Sequence, residues 1–296
     1  MSTDTIGVCG LGIMGAAMAH RLIDVGHPIM VWNRSPEKIT PLSQRGAQLA
    51  ASPKELADQC TIVITCLTDQ KAVEQVVFQE NGLAASKQQG GVLVDHSSIA
   101  PQEARSMAKR LFANTQRHWL DAPVSGGVTG VQNSTLAIMV GGDQQALEQT
   151  RPYLKAYSAR ITHMGDVGSG QVAKLCNQII VASTIGAISE AVALAAQSGL
   201  NAKALTEALE GGWADSVLLK TFVPRMADSY SEKLGAADIM HKDVKNTLEF
   251  AESNNIQLNL TKAVEQLYAQ AAKLGLGQHD ISEIVRLAWP NKPPSN

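Results

Sequence analysis

Apolar residues in the first half of the chain come in short bursts separated by amphipathic stretches. Ile6-Gly7-Val8-Cys9 reads as a buried parallel strand, residues 16–25 carry helical apolar spacing, and Pro28-Ile29-Met30-Val31-Trp32 reads as the next strand. The alternation continues through a weak strand at 46–49 and a capping box, Ser52-Pro53-Lys54-Glu55, that opens a short helix. Strands at 61–67 and Val92–Asp95 precede helices at 71–78 and from Pro101, and 118–122 and 136–140 are strands with a glycine-rich loop between them. This order predicts an α/β fold with a doubly wound, mostly parallel Rossmann-type sheet. Past Gly168 the strand signals stop. Residues 171–198 form one long helical stretch whose only charges are Lys174 and Glu190. It is apolar nearly all round, so a second domain or another subunit must bury it. Residues 203–210, 217–227, 238–253, 261–273 and 281–289 complete an all-α C-terminal domain, with 290–296 as a loose tail. The expected domains are 1–162 and 163–296, joined by the long helix.

Composition narrows the class. At 296 residues, 45% hydrophobic and 18% charged, the chain is long enough for two cores. A net charge of −2 and 4% aromatic residues argue against nucleic acid as a partner. Polar residues such as Asn177, Gln178, Ser183, Thr184 and Ser189 interrupt the long helix, which argues against a membrane span. The four cysteines form no CxxC pair and no metal site is expected. The first strand begins by Ile6, so no targeting segment is expected and a cytoplasmic location fits best.

The candidate chemistry starts at Gly10-Leu11-Gly12-Ile13-Met14-Gly15, a GxGxxG run between a strand and a helix. Gly10 permits the tight turn, Gly12 lets backbone N–H groups approach a pyrophosphate, and Gly15 lets the helix pack close to the strand. The second strand closes on Asn33-Arg34-Ser35, without the carboxylate that an NAD-selecting strand carries. Arg34 can pair with a 2′-phosphate, and Asn33 and Ser35 can donate to it, which favours NADP(H). Ser35 also reads as an N-cap before Pro36. Leu67-Thr68, His96-Ser97-Ser98 and the 124–127 segment fall beyond strand carboxyl ends, around the same crevice.

Three further features stand out. Lys174 lies near the start of the long apolar helix, one turn before Asn177 and Gln178. Desolvation and the positive helix end both disfavour its ammonium form, which suits acid–base work; a lysine that snorkels to solvent is the alternative. The Asp121-Ala122-Pro123-Val124-Ser125-Gly126-Gly127 segment offers a hydroxyl and open amides for a carboxylate, or is a flexible hairpin-like loop. His241-Lys242-Asp243 reads by itself as a solvated helix face. Trp213, after Gly211-Gly212, lines a pocket or sits in a core.

Those runs together resemble the β-hydroxyacid dehydrogenase family, nearly end to end. Gly10 to Gly15 matches its cofactor signature and Asp121 to Gly127 its substrate-binding signature. Gly170-Gln171-Val172-Ala173-Lys174-Leu175-Cys176-Asn177-Gln178 matches the catalytic one, and Lys242-Asp243 a pair near the nicotinamide. The resemblance implies that Lys174 is the catalytic acid/base. It implies that Ser125, Gly126, Gly127 and Asn177 position a small carboxylate substrate, and that Ser98 and Lys242 approach cofactor and substrate. The expected reaction interconverts a small aldehyde- or keto-acid and its hydroxy acid with NADP(H), in a homodimer or homotetramer. Two departures stand out. Gly235 occupies a position, seven residues before Lys242, where many relatives carry Phe; Ser98 stands where Thr is common. The rivals are an imine reductase, in which the Lys174 position is commonly Asp or Tyr, and a catalytically silent NADP-binding sensor.

Overall fold

A computed structural model describes residues 5–228 and 233–292. Its two compact units divide between Lys174 and Leu175. The boundary expected near residue 162 would cut a strand, because β-structure runs on to Gly165.

The first unit contains β1 (Ile6–Cys9), α1 (Ile13–Asp24), β2 (Ile29–Trp32), α2 (Thr40–Ser43), β3 (Gln48–Leu49), α3 (Pro53–Gln59), β4 (Ile62–Thr65), α4 (Gln70–Phe78), β5 (Val92–Asp95) and α5 (Pro101–Thr115). It continues with β6 (His118–Asp121), β7 (Val124–Ser125), α6 (Gly127–Gln132), β8 (Leu136–Gly141), α7 (Gln144–Leu154), β9 (Ser158–Gly165) and the start of α8 (Ser169–Gln197). The sheet order is β3-β2-β1-β4-β5-β6-β8-β7, with β9 on β8. Pairing is parallel from β3 to β6, antiparallel from β6 to β8 and from β7 to β8, and parallel again to β9. Strand residues alternate between two apolar layers. Ile62, Ile64, Val92 and Val94 face α1 and α7 through Met18, Leu22, Leu147 and Leu154. Val63 and Leu93 face α3, α4 and α5 through Leu56, Val73, Val77, Met107 and Leu111. Burial on both faces explains the unbroken apolar runs of these strands.

The expected capping box forms in altered shape. Ser52 Oγ accepts from Glu55 N at 3.1 Å, but Glu55 reaches back to Ala51 N at 2.6 Å rather than to Ser52. The glycine-rich loop is more ordered than expected, since Val124 and Ser125 pair with Ile138 and Ala137 and a short helix follows. α7 and β9 are among the elements that escaped the apolar pattern. α7 is strongly polar outside its core face and is capped by Asp143, whose Oδ1 accepts from Ala146 N at 2.7 Å. β9 is mostly exposed or half-buried, so it carries no apolar run to reveal it.

The second unit holds the rest of α8, then α9 (Leu205–Ala208), α10 (Val217–Ala227), α11 (Ala237–Ser253) and α12 (Asn259–Lys273). The helix expected at 203–210 is a 3-10 turn plus the short α9, and the one expected at 281–289 is a 3-10 helix, Ile281–Leu287. Ala182, Ile185, Ile188 and Val192 of α8 join Phe222, Val223, Val244, Tyr268 and Ile284 in one core. By length and composition α8 could cross a membrane, a test that a core helix also passes. Its cover is one-sided: Ile180 and Leu194 are 65% and 71% exposed. The tail is not loose throughout, since Lys292 is buried, lies 3.6 Å from Glu283 and accepts through its carbonyl from Arg286. Residues 293–296 lie outside the described residues.

Candidate functional site

The GxGxxG loop has the form its glycines require. Gly10 has φ +96°, and a Cβ on Gly15 would collide with the Gly10 carbonyl oxygen. At Gly12 no atom lies within 4 Å of the Cβ position, so that backbone face is open to a phosphate. Leu11 is buried, Met14 half-buried and Ile13 82% exposed at the first helical position. Asn33 has a different task from the one expected: its Oδ1 accepts from Leu11 N at 2.8 Å and its Nδ2 donates to Ser35 O at 3.0 Å. Its amide braces the glycine loop against the end of β2. Ser35 makes no side-chain cap bond, and Arg34 is exposed beside it. The open face at Gly12 fits the pyrophosphate of a dinucleotide.

At the carboxyl ends of β4, β5 and β6 the polar groups are interlocked. Leu67 N donates to Ser97 Oγ at 3.0 Å, and Asp95 Oδ1 accepts from Thr65 Oγ1 at 2.8 Å and Ser97 N at 3.1 Å. His96 Nδ1 faces the Ala122 carbonyl at 2.5 Å, so that nitrogen carries the proton. Nε2 then accepts from Tyr157 Oη at 2.8 Å. Burial pulls His96 down to about 4, and pushes Asp95 and Asp121 up to about 6. Ser98, next in the chain, is half-buried.

Lys174 does not run free into solvent: it is half-buried and its Nζ donates to Val124 O at 3.0 Å. Val124 adjoins half-buried Ser125 and exposed Gly126 and Gly127, whose φ values of +127° and +61° only glycine holds without strain. In the second unit Asn177 Nδ2 donates to Gln178 Oε1 at 2.8 Å, and Gln178 Nε2 donates to Asp243 Oδ2 at 2.6 Å. Lys242 Nζ lies 3.5 Å from Asp243 Oδ1. Asp243 is therefore buried in a polar chain rather than lying on a solvated face. No atom lies within 4 Å of a Cβ placed on Gly235. Trp213 is fully exposed and in no core.

Residues 5–165 match the NAD-binding domain model of 6-phosphogluconate dehydrogenase. Residues 168–288 match the NAD-binding model of NADP-dependent 3-hydroxyisobutyrate dehydrogenase. The 2-hydroxy-3-oxopropionate reductase of Escherichia coli is 34% identical, over 95% of this chain and 96% of its own. A probable mitochondrial 3-hydroxyisobutyrate dehydrogenase of Dictyostelium discoideum is 33% identical, over 100% and 94%. The solved structure of Mycobacterium tuberculosis 3-hydroxyisobutyrate dehydrogenase with L-serine superposes with a TM-score of 0.83 at 29% identity, covering 96% and 98%.

The chain belongs to the β-hydroxyacid dehydrogenase family. It is an NAD(P)-dependent oxidoreductase of that family, and all four signatures noted in its sequence lie among the described residues. Several pairings in this family member were not foreseen from sequence: Asp121 and Gln171 as anchors, His96 with Tyr157, and Gln178 with Asp243. Only pairing across distant elements reveals them. The one local hint is a polar residue set in an apolar run, as at Gln171 and Gln178.

Proposed function

We propose that this chain is an NADPH-preferring oxidoreductase that interconverts a small aldehyde- or keto-acid and its hydroxy acid, with Lys174 as the acid/base. The observation that carries the reading is the Lys174 Nζ bond to Val124 O, which sets the amine beside Ser125, Gly126 and Gly127. The glycine loop from Gly10 to Gly15 would hold the pyrophosphate, Arg34 and Ser35 the 2′-phosphate, and Leu67 and Ser98 border the cofactor. The nicotinamide supplies hydride in reduction and takes it in oxidation. Lys174 as ammonium gives its proton to the carbonyl oxygen as that oxygen gains charge; the neutral amine takes it back in oxidation. The Ser125 hydroxyl and the amides of Gly126 and Gly127 hold the substrate carboxylate. Asn177, one helical turn after Lys174, adds a donor.

A lysine at this position disfavours the imine reductase reading, and an equipped site disfavours a silent sensor. The exposed apolar side of α8 supports a homodimer or homotetramer in which a second copy covers it, and a cytoplasmic location suits the chemistry. Lys174→Ala should lower kcat about 10²–10⁴-fold with NADPH affinity and thermal midpoint retained. The assay is NADPH oxidation with glyoxylate, succinic, tartronate and methylmalonate semialdehydes. A near-normal kcat would remove Lys174 from the mechanism.

A further inference from the structure

We propose that Asp121 and Gln171 form a clamp that positions Lys174 for proton transfer. The inference rests on the acid/base reading of Lys174. The first N–H groups of a helix have no partner within it and are ordinarily met by a neighbouring side chain. At α8 the partner comes from a distant strand. Asp121, fully buried at the end of β6, accepts from Gly168 N through Oδ1 at 2.7 Å and from Gln171 N through Oδ2 at 2.8 Å.

The Gln171 side chain makes a second tie. Its Nε2 donates to Ser97 O at 2.8 Å, and its Oε1 accepts from Ile99 N at 3.2 Å. Ser97 in turn accepts from Leu67 N, so the first turn of α8 is bonded to the loops after β5 and β6 and through Ser97 to the loop after β4. The approach is close enough that a Cβ on Gly170 would collide with the carbonyl oxygens of Asp121 and Met139.

Lys174 follows Gln171 by three residues and so projects from nearly the same side of the helix. A slip of one residue would rotate α8 by about 100° and carry Nζ away from Val124 O. Val124 itself comes three residues after Asp121. One carboxylate therefore fixes the helix that carries the amine and the loop that receives it. Gln171 sets the helix against the Ser98 loop. Neither residue needs to touch substrate or cofactor to act.

The test combines Asp121→Asn with Lys174→Ala, singly and together. Asp121→Asn should lower kcat about 10- to 100-fold, since small misplacements of a reacting group have effects of that size. Its NADPH dissociation constant should stay within about twofold, and its solvent deuterium isotope effect on kcat should rise as proton transfer becomes slower. A mere loss of folded protein would leave that isotope effect unmoved. In the Lys174→Ala background the same substitution should change kcat by less than about threefold, because the group it serves is gone. An unchanged kcat in Asp121→Asn, or a full further loss in the double variant, would overturn the clamp. A near-normal kcat in Lys174→Ala alone would instead overturn the acid/base reading. Should Asp121→Asn fail to fold, Gln171→Leu, which cuts the second tie, takes its place with the same outcomes.

Discussion

At the amino ends of the central strands Arg117 is fully buried and donates to the carbonyls of Thr61, Ala57 and Cys60 at 2.8, 3.1 and 3.1 Å. At the carboxyl ends of the same strands Asp95, His96 and Asp121 are equally buried, and their partners are loop amides, a tyrosine hydroxyl and the start of a helix. Burial shifts the groups at both ends. It pulls Arg117 down to about 10, which leaves it charged at neutral pH, and brings Asp95 and Asp121 to about 6. The chemical difference lies in the partners. Arg117 meets backbone carbonyls and ties the start of β6 to the single segment that joins α3 to β4. The carboxyl-end groups hold the segments that carry Lys174, Ser98 and the Ser125-Gly126-Gly127 loop. Open α/β sheets place ligands at this second end.

Arg117→Leu should separate the two ends most strongly. It leaves several buried carbonyls without their donor, at a cost of about 1–3 kcal/mol for each unsatisfied group. Denaturant unfolding should show that loss, while kcat per folded molecule stays within about twofold. A large fall in kcat with full stability would mean that the two ends are not separated in function.

The contrast also marks what the sequence could disclose. The α/β class, the parallel order and the all-α second half were legible because strands buried on both faces write continuous apolar runs. The glycine loop was legible because strand, loop and helix adjoin in the chain. Ser125 and Lys174 were paired only through the family resemblance, and the structure joins their segments at Val124 O. Asp121 and Gln171 are 50 residues apart, and no local pattern connects them. Asn33 was read as a phosphate donor because it stands where a carboxylate is usual, yet its amide is engaged by Leu11 and Ser35. Arg117 left no signal, since an arginine before a strand reads as surface.

Cofactor choice tests the carboxyl end at β2. Arg34 is exposed, and a charge-assisted bond to a phosphate is worth about 1.5–3 kcal/mol. NADPH should be favoured over NADH about ten- to a hundredfold in kcat/KM, and Arg34→Ala should shrink the ratio mainly through KM. Equal use of both cofactors by the unmodified protein would defeat this assignment. It would leave the glycine loop as a general dinucleotide cradle.

The smallest effect comes from His96, and pH isolates it. Its folded value lies near 4 and its ordinary value is 6.5, with burial as the first cause and the Ala122 carbonyl opposing. Between those values the unfolded chain binds more protons than the native one, so stability falls as pH falls through that window. Asp95 and Asp121, raised by burial to about 6, act in the opposite sense over much of the same range. Total stability against pH therefore hides each contribution, and a difference between variants is needed. His96→Asn keeps a donor toward Ala122 O but loses the acceptor for Tyr157 Oη. It should destabilise at pH 7, by about 1–3 kcal/mol for the unpaired hydroxyl. At pH 5 the unmodified protein has already lost about 2 kcal/mol through His96, and the variant has not, so the gap should shrink by that amount. Urea unfolding of both proteins at the two pH values reads this directly. A gap that stays constant with pH would mean that His96 is not held neutral, and that the carboxyl end tolerates a charge which the amino end accepts only with carbonyls around it.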